Sequence, residues 1–86
     1  MAFTLLIKQQ ARRKLLSLSR PDRLRITDEI NRLGSNPDNP ELDIKRLVGE
    51  PYYRLRVGNW RIIFDRQDAV SVIAIEKIKA RGDAYK

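Results

Sequence analysis

Hydrophobic positions change their spacing along this 86-residue chain, and each change predicts a different element. Phe3-Thr4-Leu5-Leu6-Ile7 is a short apolar run that predicts a strand. From about Gln9 the period lengthens. Ala11, Leu15 and Leu18 fall at i, i+4 and i+7, with Arg12, Arg13 and Lys14 turned largely elsewhere, which is the pattern of an amphipathic helix. Ser19-Arg20-Pro21-Asp22 marks a break and restart: serine caps, proline is tolerated in a first turn, and aspartate there meets the positive end of the dipole. A second helix follows, with Ile26, Ile30 and Leu33 on one face and Gly34 placed as its stop. So short a connection between the helices predicts an antiparallel αα-hairpin.

Ser35 to Glu50 reads as a loop with turns, containing Asn36, Pro37, Asn39, Pro40 and Gly49, with Leu42, Ile44, Leu47 and Val48 pinning it to the body. Tyr52 to Phe64 then shows two β-branched and aromatic runs around Gly58-Asn59, a dipeptide suited to the positive-φ positions of a two-residue hairpin turn. That turn sets a register of Val57 opposite Trp60, Leu55 opposite Ile62 and Tyr53 opposite Phe64, all on the side facing the helices. After an Asp65–Ala69 connection, Val70 to Ile75 is apolar on both faces, which suits an interior strand. With an even loop it pairs Asp65 with Val70, Ile63 with Val72, Ile62 with Ile73 and Arg61 with Ala74. The expected fold is α+β, in the order β-α-α-β-β-β, with an antiparallel sheet packed on the αα-hairpin, as one domain over residues 1–86.

The same register gathers Arg54, Arg56 and Arg61 on the outer face, with Arg56 directly opposite Arg61. Like charges so placed repel. Two explanations stay open: Asp65, Glu76 or Asp83 neutralises the cluster within the fold, or it meets an anion absent from the chain. Phosphate suits the second, because the planar guanidinium fork binds its oxygens in pairs. Glu76, one pleat further along this face, is the acid best placed to neutralise the arginines or to accept a proton among them. Lys45 and Arg46 either flank a bound strand or pair with Glu41, Asp43 or Glu50.

Composition narrows the chemistry. The chain has 18 lysines and arginines against 11 acids, a formal charge of +7 and no histidine or cysteine. Disulfides, thiolate or histidine metal sites, histidine acid–base pairs and Ser-His or Cys-His nucleophile systems are therefore excluded. Charge is uneven: residues 1–33 carry +5, residues 34–53 carry −2 and residues 54–86 carry +4. A basic start and a basic end imply a polyanionic partner. Without an apolar run of about 20 residues no membrane span is expected, and the chain reads as cytoplasmic.

Tyr53-Arg54-Leu55-Arg56-Val57-Gly58-Asn59-Trp60-Arg61-Ile62-Ile63-Phe64 and the closing Ala80-Arg81-Gly82-Asp83-Ala84-Tyr85-Lys86 resemble the RelE/ParE toxin superfamily, most closely RelE-type mRNA interferases. The resemblance spans nearly the whole chain. It implies a microbial-RNase-like fold and a type II toxin that enters the ribosomal A site and cuts mRNA without a metal. It further implies a cognate RelB-like antitoxin, with operator DNA bound only through the toxin–antitoxin complex. Arg54 and Arg56 fall where RelE has lysines, Arg61 matches the arginine after the turn, and Arg81 and Tyr85 match the tail. These five form the expected catalytic set, with Lys77, Lys79 and Lys86 as RNA contacts and Glu76 as a possible proton acceptor.

Two departures alter the expected chemistry. Ala80 and Gly82 replace a histidine and a basic residue, and arginine replaces a lysine proposed as general base. Arginine stabilises a phosphorane but accepts protons poorly, so electrostatic catalysis is expected to dominate. The alternatives are a ParE-like inhibitor of DNA gyrase with no nuclease activity, and a non-toxic basic RNA-binding protein.

Overall fold

A computed structural model describes residues 2–80, with strand β1 at Thr4–Ile7, helix α1 at Gln9–Ser17, helix α2 at Arg20–Ser35, and strands β2 at Ile44–Arg46, β3 at Tyr53–Val57, β4 at Trp60–Gln67 and β5 at Val72–Ala80. The five strands form one sheet in the order β1-β5-β4-β3-β2. From α2 the chain crosses to the far edge and returns as the antiparallel meander β2-β3-β4-β5, so β5 arrives beside β1 running parallel to it. The sheet is thus mixed rather than wholly antiparallel, and it gains a strand, Ile44–Arg46, where the sequence predicted only loop. No helix among the described residues is long and apolar enough to cross a membrane.

The helical stripe lands where its spacing placed it. Ala11 and Leu15 of α1 and Ile26, Ile30 and Leu33 of α2 pack on Leu55, Val57, Ile62, Phe64, Ile73, Ile75 and Ile78. Tyr53 stacks on Phe64 with centroids 5.6 Å apart. The Gly58-Asn59 hairpin has its predicted register, including Arg56 opposite Arg61. Gly58 takes a positive φ of 58° and Asn59 does not, the arrangement in which glycine is required at the first central position only.

Several local expectations are corrected. Ser19 occupies the N-cap position of α2 but makes no side-chain capping bond. Gly34 lies inside the last turn rather than after it: a Cβ there would stand 2.8 Å from Leu5 Cγ, so glycine permits close contact between helix and strand. Leu42 is buried and Ile44 packs on the core, whereas Val48 is fully exposed and pins nothing.

The largest correction concerns β4 and β5. Strand β4 continues through Asp65, Arg66 and Gln67, and the chain reverses in a 3-10 turn at Asp68–Val70 followed by Ser71 in the left-handed region. Val70 is exposed in that turn. Asp65 therefore pairs with Ala74, and beyond an irregularity at Ile63/Phe64, Ile63 pairs with Lys77, Ile62 with Ile78 and Arg61 with Lys79. Ala74 leaves no space beside Arg61, because Lys79 stands there. The physical reason is Arg66, which binds Asp38 and Asp68 and so holds the strand extended past Phe64.

Candidate nucleic-acid interface

Cross-strand partners share a face, so the observed register defines the outer surface directly. One row runs Lys45, Arg54, Ile63, Lys77 and the next runs Arg56, Arg61, Lys79. The three predicted arginines are therefore together, and the corrected β5 pairing adds Lys77 and Lys79 beside them. Four adjacent strands carry six cations on this face. Like charges directly opposite each other destabilise a sheet, so the arrangement opposes folding.

Arg61 is only 3% exposed. Its Nη1 donates to the carbonyl oxygens of Gly58 at 3.3 Å and Trp60 at 3.2 Å, and its Nε is buried without a partner among the described residues. Arg54 donates from Nη2 to Asp43 Oδ1 at 3.4 Å, and its Nε is likewise buried and unpaired. A cation buried without a carboxylate is costly, and a donor buried without an acceptor adds to that cost. An arriving anion offsets both.

Among the described residues the acid that meets the cluster is neither Asp65 nor Glu76. Asp65 accepts from Gln67 Nε2, Asp83 lies outside the described residues, and Asp43 bonds Arg54 instead. The unforeseen strand β2 makes that contact possible: Asp43 immediately precedes it, and the Asp43 carbonyl accepts from the Arg56 N–H at 2.9 Å. Lys45 and Arg46 form none of the ion pairs expected of them among the described residues; Arg46 lies 5.8 Å over the Tyr53 ring. Glu76 is the unpaired residue of the β5 irregularity, between Ile75 opposite Phe64 and Lys77 opposite Ile63. It lines a cavity of about 200 Å³ with Lys77 and Lys79, and neither Arg54 nor Arg61 lines that space. Arg81, Tyr85 and Lys86, the other predicted site residues, lie outside the described residues.

The surface is thus a five-stranded sheet whose back holds the core and whose front holds six cations on one face, two of them with buried donors unpaired among the described residues. A family model described as the ParE toxin of type II toxin–antitoxin system, parDE, matches residues 5–85. The chain belongs to this family of toxins. Among solved structures it is similar to the archaeal RelE–RelB complex from Pyrococcus horikoshii OT3, with 29% identity, a TM-score of 0.82, and coverage of 96% of this chain and 99% of that one. It also resembles the RelB–RelE antitoxin–toxin complex from Methanococcus jannaschii, at 29% identity and TM-score 0.74 over 93% of this chain and 94% of that one. Its fold matches the Mycobacterium tuberculosis RelBE2 toxin–antitoxin complex, at 19% identity and TM-score 0.78 over 96% and 95% of the two chains. No curated protein matches. Within the RelE/ParE superfamily, the toxin's two helices and five-stranded mixed sheet are the RelE-like α+β fold.

Proposed function

We propose that this toxin is a ribosome-dependent mRNA endoribonuclease that stops translation. The observation that carries the proposal is Arg61: a buried guanidinium whose Nε has no partner among the described residues, with Arg56 directly opposite and, in the next row, Arg54, whose Nε is also buried and unpaired there although its Nη2 reaches Asp43. A protein that only binds a partner surface has no need of a buried guanidinium without a carboxylate beside further cations on the same face.

In this reaction the RNA 2′-oxygen attacks the adjacent phosphorus, its proton leaves, and the bond to the 5′-oxygen breaks as that oxygen gains a proton. Charge accumulates on the non-bridging oxygens of the pentavalent phosphate. Arg61 and Arg54 supply donors already in place, so little reorganisation accompanies the charge as it develops. Arg56 holds the flanking backbone. Arg81 and Tyr85 complete the set by resemblance, with Tyr85 orienting the nucleotide by stacking or a hydrogen bond. Lys77, Lys79 and Lys86 contact RNA. Glu76 sits among lysines rather than arginines and is assigned no proton transfer; alignment within the ribosomal A site supplies the attack geometry.

The partner proposed for the free toxin is an acidic, amphipathic antitoxin segment of RelB-like kind that covers the Arg54, Arg56 and Arg61 surface, the complex alone binding operator DNA. The matching family is named for ParE, which keeps DNA gyrase as the second reading. Incubation with translating ribosomes tests the choice. Cuts within mRNA that disappear with Arg61→Ala support the nuclease, whereas uncut mRNA together with stabilised gyrase–DNA breaks replaces it with gyrase poisoning.

A further inference from the structure

Beside the arginines lies a surface that phosphate does not explain. Ile63, in the row between Arg54 and Lys77, is only 8% exposed although it points to the cationic face. It forms the floor of the cavity of about 200 Å³, with Leu47 and Tyr52 on one side and Glu76 on the other. Leu47 and Tyr52 share a side because the Leu47 N–H donates to the Tyr52 carbonyl at 3.0 Å, continuing the β2–β3 ladder. An apolar floor and an aromatic wall thus adjoin Arg61, two residues away along β4. That separation is roughly 7 Å along a strand. Drug-sized ligands occupy about 300–1,000 Å³, so this space suits a single flat heterocycle. Its rim carries two acceptor-only carboxylates, Glu50 and Glu76, and the donors of Lys77 and Lys79.

Resting on the nuclease reading, we propose that this cavity is a nucleobase subsite, which receives the base of a nucleotide whose phosphate lies on Arg61 and Arg54. Tyr52 and Ile63 contact the faces of the ring, and Glu50 and Glu76 accept from its exocyclic amino group. Guanine, adenine and cytosine carry such a group. Uracil presents carbonyl oxygens on either side of its one N–H and is disfavoured by the carboxylates. The bulge explains why Glu76 is available here: an extra residue in one strand re-aims its side chain away from the regular ladder.

The test is NMR titration of the full chain with the 5′-monophosphates of guanosine, adenosine, cytidine and uridine, with inorganic phosphate as reference. The amino-bearing nucleotides are expected to shift the Ile63 methyl and Tyr52 ring resonances well beyond inorganic phosphate, with uridine weakest. Tyr52→Leu keeps an apolar contact with Leu47 but removes the flat ring, and should weaken nucleotide binding about tenfold while leaving inorganic phosphate binding as it was. Nucleotides that move Ile63 no more than phosphate does, or a Tyr52→Leu protein of unchanged nucleotide affinity, overturn the subsite. Ribosomal cleavage by the same wild-type protein separates the two claims. Cutting without a base-dependent shift at Ile63 removes the subsite alone, and a base-dependent shift without cutting removes the nuclease alone.

Discussion

At the outer end of β4, Arg66 donates from Nε to Asp68 at 2.7 Å and from both terminal nitrogens to Asp38 at 2.8 and 3.3 Å, and its guanidinium lies 5.4 Å over the Phe3 ring. Near the hairpin end of the same strand, Arg61 meets two carbonyl oxygens, no carboxylate among the described residues, and a neighbouring lysine. The residue type and the strand are shared, but the electrostatic environments are opposite. Arg66 fastens the Asp38 loop and the following turn to the sheet. Arg61 has no carboxylate partner among the described residues, which fits the proposed role of a group whose counter-ion arrives with the substrate.

Substituting each arginine in turn should separate these roles, and the largest effect belongs to Arg61. Arg61→Ala is expected to lower ribosome-dependent mRNA cleavage by about 10²–10³-fold, as loss of a preorganised oxyanion donor does, without lowering the melting temperature. Arg66→Ala should do the reverse, leaving cleavage within a few-fold and lowering Tm by roughly 5 °C, the shift of about 1 kcal/mol in a chain of this size. Circular-dichroism melting beside the cleavage assay checks both. A destabilised but active Arg61→Ala would place Arg61 with Arg66 as a fastening residue and dissolve the contrast.

Exposed Arg56 refines the comparison on a smaller scale. Each phosphate contact with a single strand contributes about 0.7 to the slope of log affinity against log salt. Arg56→Ala should reduce that slope for a single-stranded RNA by about this amount, and Arg66→Ala should leave it unaltered. Equal slopes for wild type and Arg56→Ala would take Arg56 off the RNA surface and leave Arg54, Arg61 and Arg81 as the proposed arginine contacts.

The same contrast separates what is legible in the sequence from what is not. The Gly58-Asn59 turn is local chemistry, and it fixed the Tyr53–Val57 and Trp60–Phe64 register, the core face and the three arginines together. The helical stripe was equally legible because periodicity at Ala11, Leu15, Ile26, Ile30 and Leu33 reports burial directly. The pairing of β4 with β5 was not, since it depends on Asp38, far away in sequence, clamping Arg66 and prolonging the strand. That displaced the partners by four residues at Asp65 and five at Ile63, replacing Ala74 with Lys79 beside Arg61. Asp43 was missed for a related reason: a three-residue edge strand, Ile44–Arg46, has too little periodicity to announce itself.

The smallest expected effect is on pH dependence, and it isolates the Arg66 end. Hydrogen bonding from Arg66, reinforced by its charge, holds the Asp38 carboxyl below its ordinary value, and the same contacts push the Arg66 pKa up. Arg66 therefore remains charged throughout acid titration, and the carboxyls are the groups that change. A carboxyl that binds its proton less tightly when folded adds stability fully present above the unfolded pKa of about 3.9. This stability is lost as pH falls through the lower folded value. Asp38 is exposed, so the contribution is small and screened by salt. At low ionic strength the wild-type Tm should fall more steeply than that of Asp38→Asn between about pH 5 and pH 3, and the gap should narrow in about 1 M salt. Arg61→Ala should follow the wild-type curve, because no carboxylate among the described residues answers to it. Parallel curves for wild type and Asp38→Asn would show that the Arg66 clamp rests on Asp68 and Phe3, and the contrast along β4 would then be between those contacts and the bare carbonyls around Arg61.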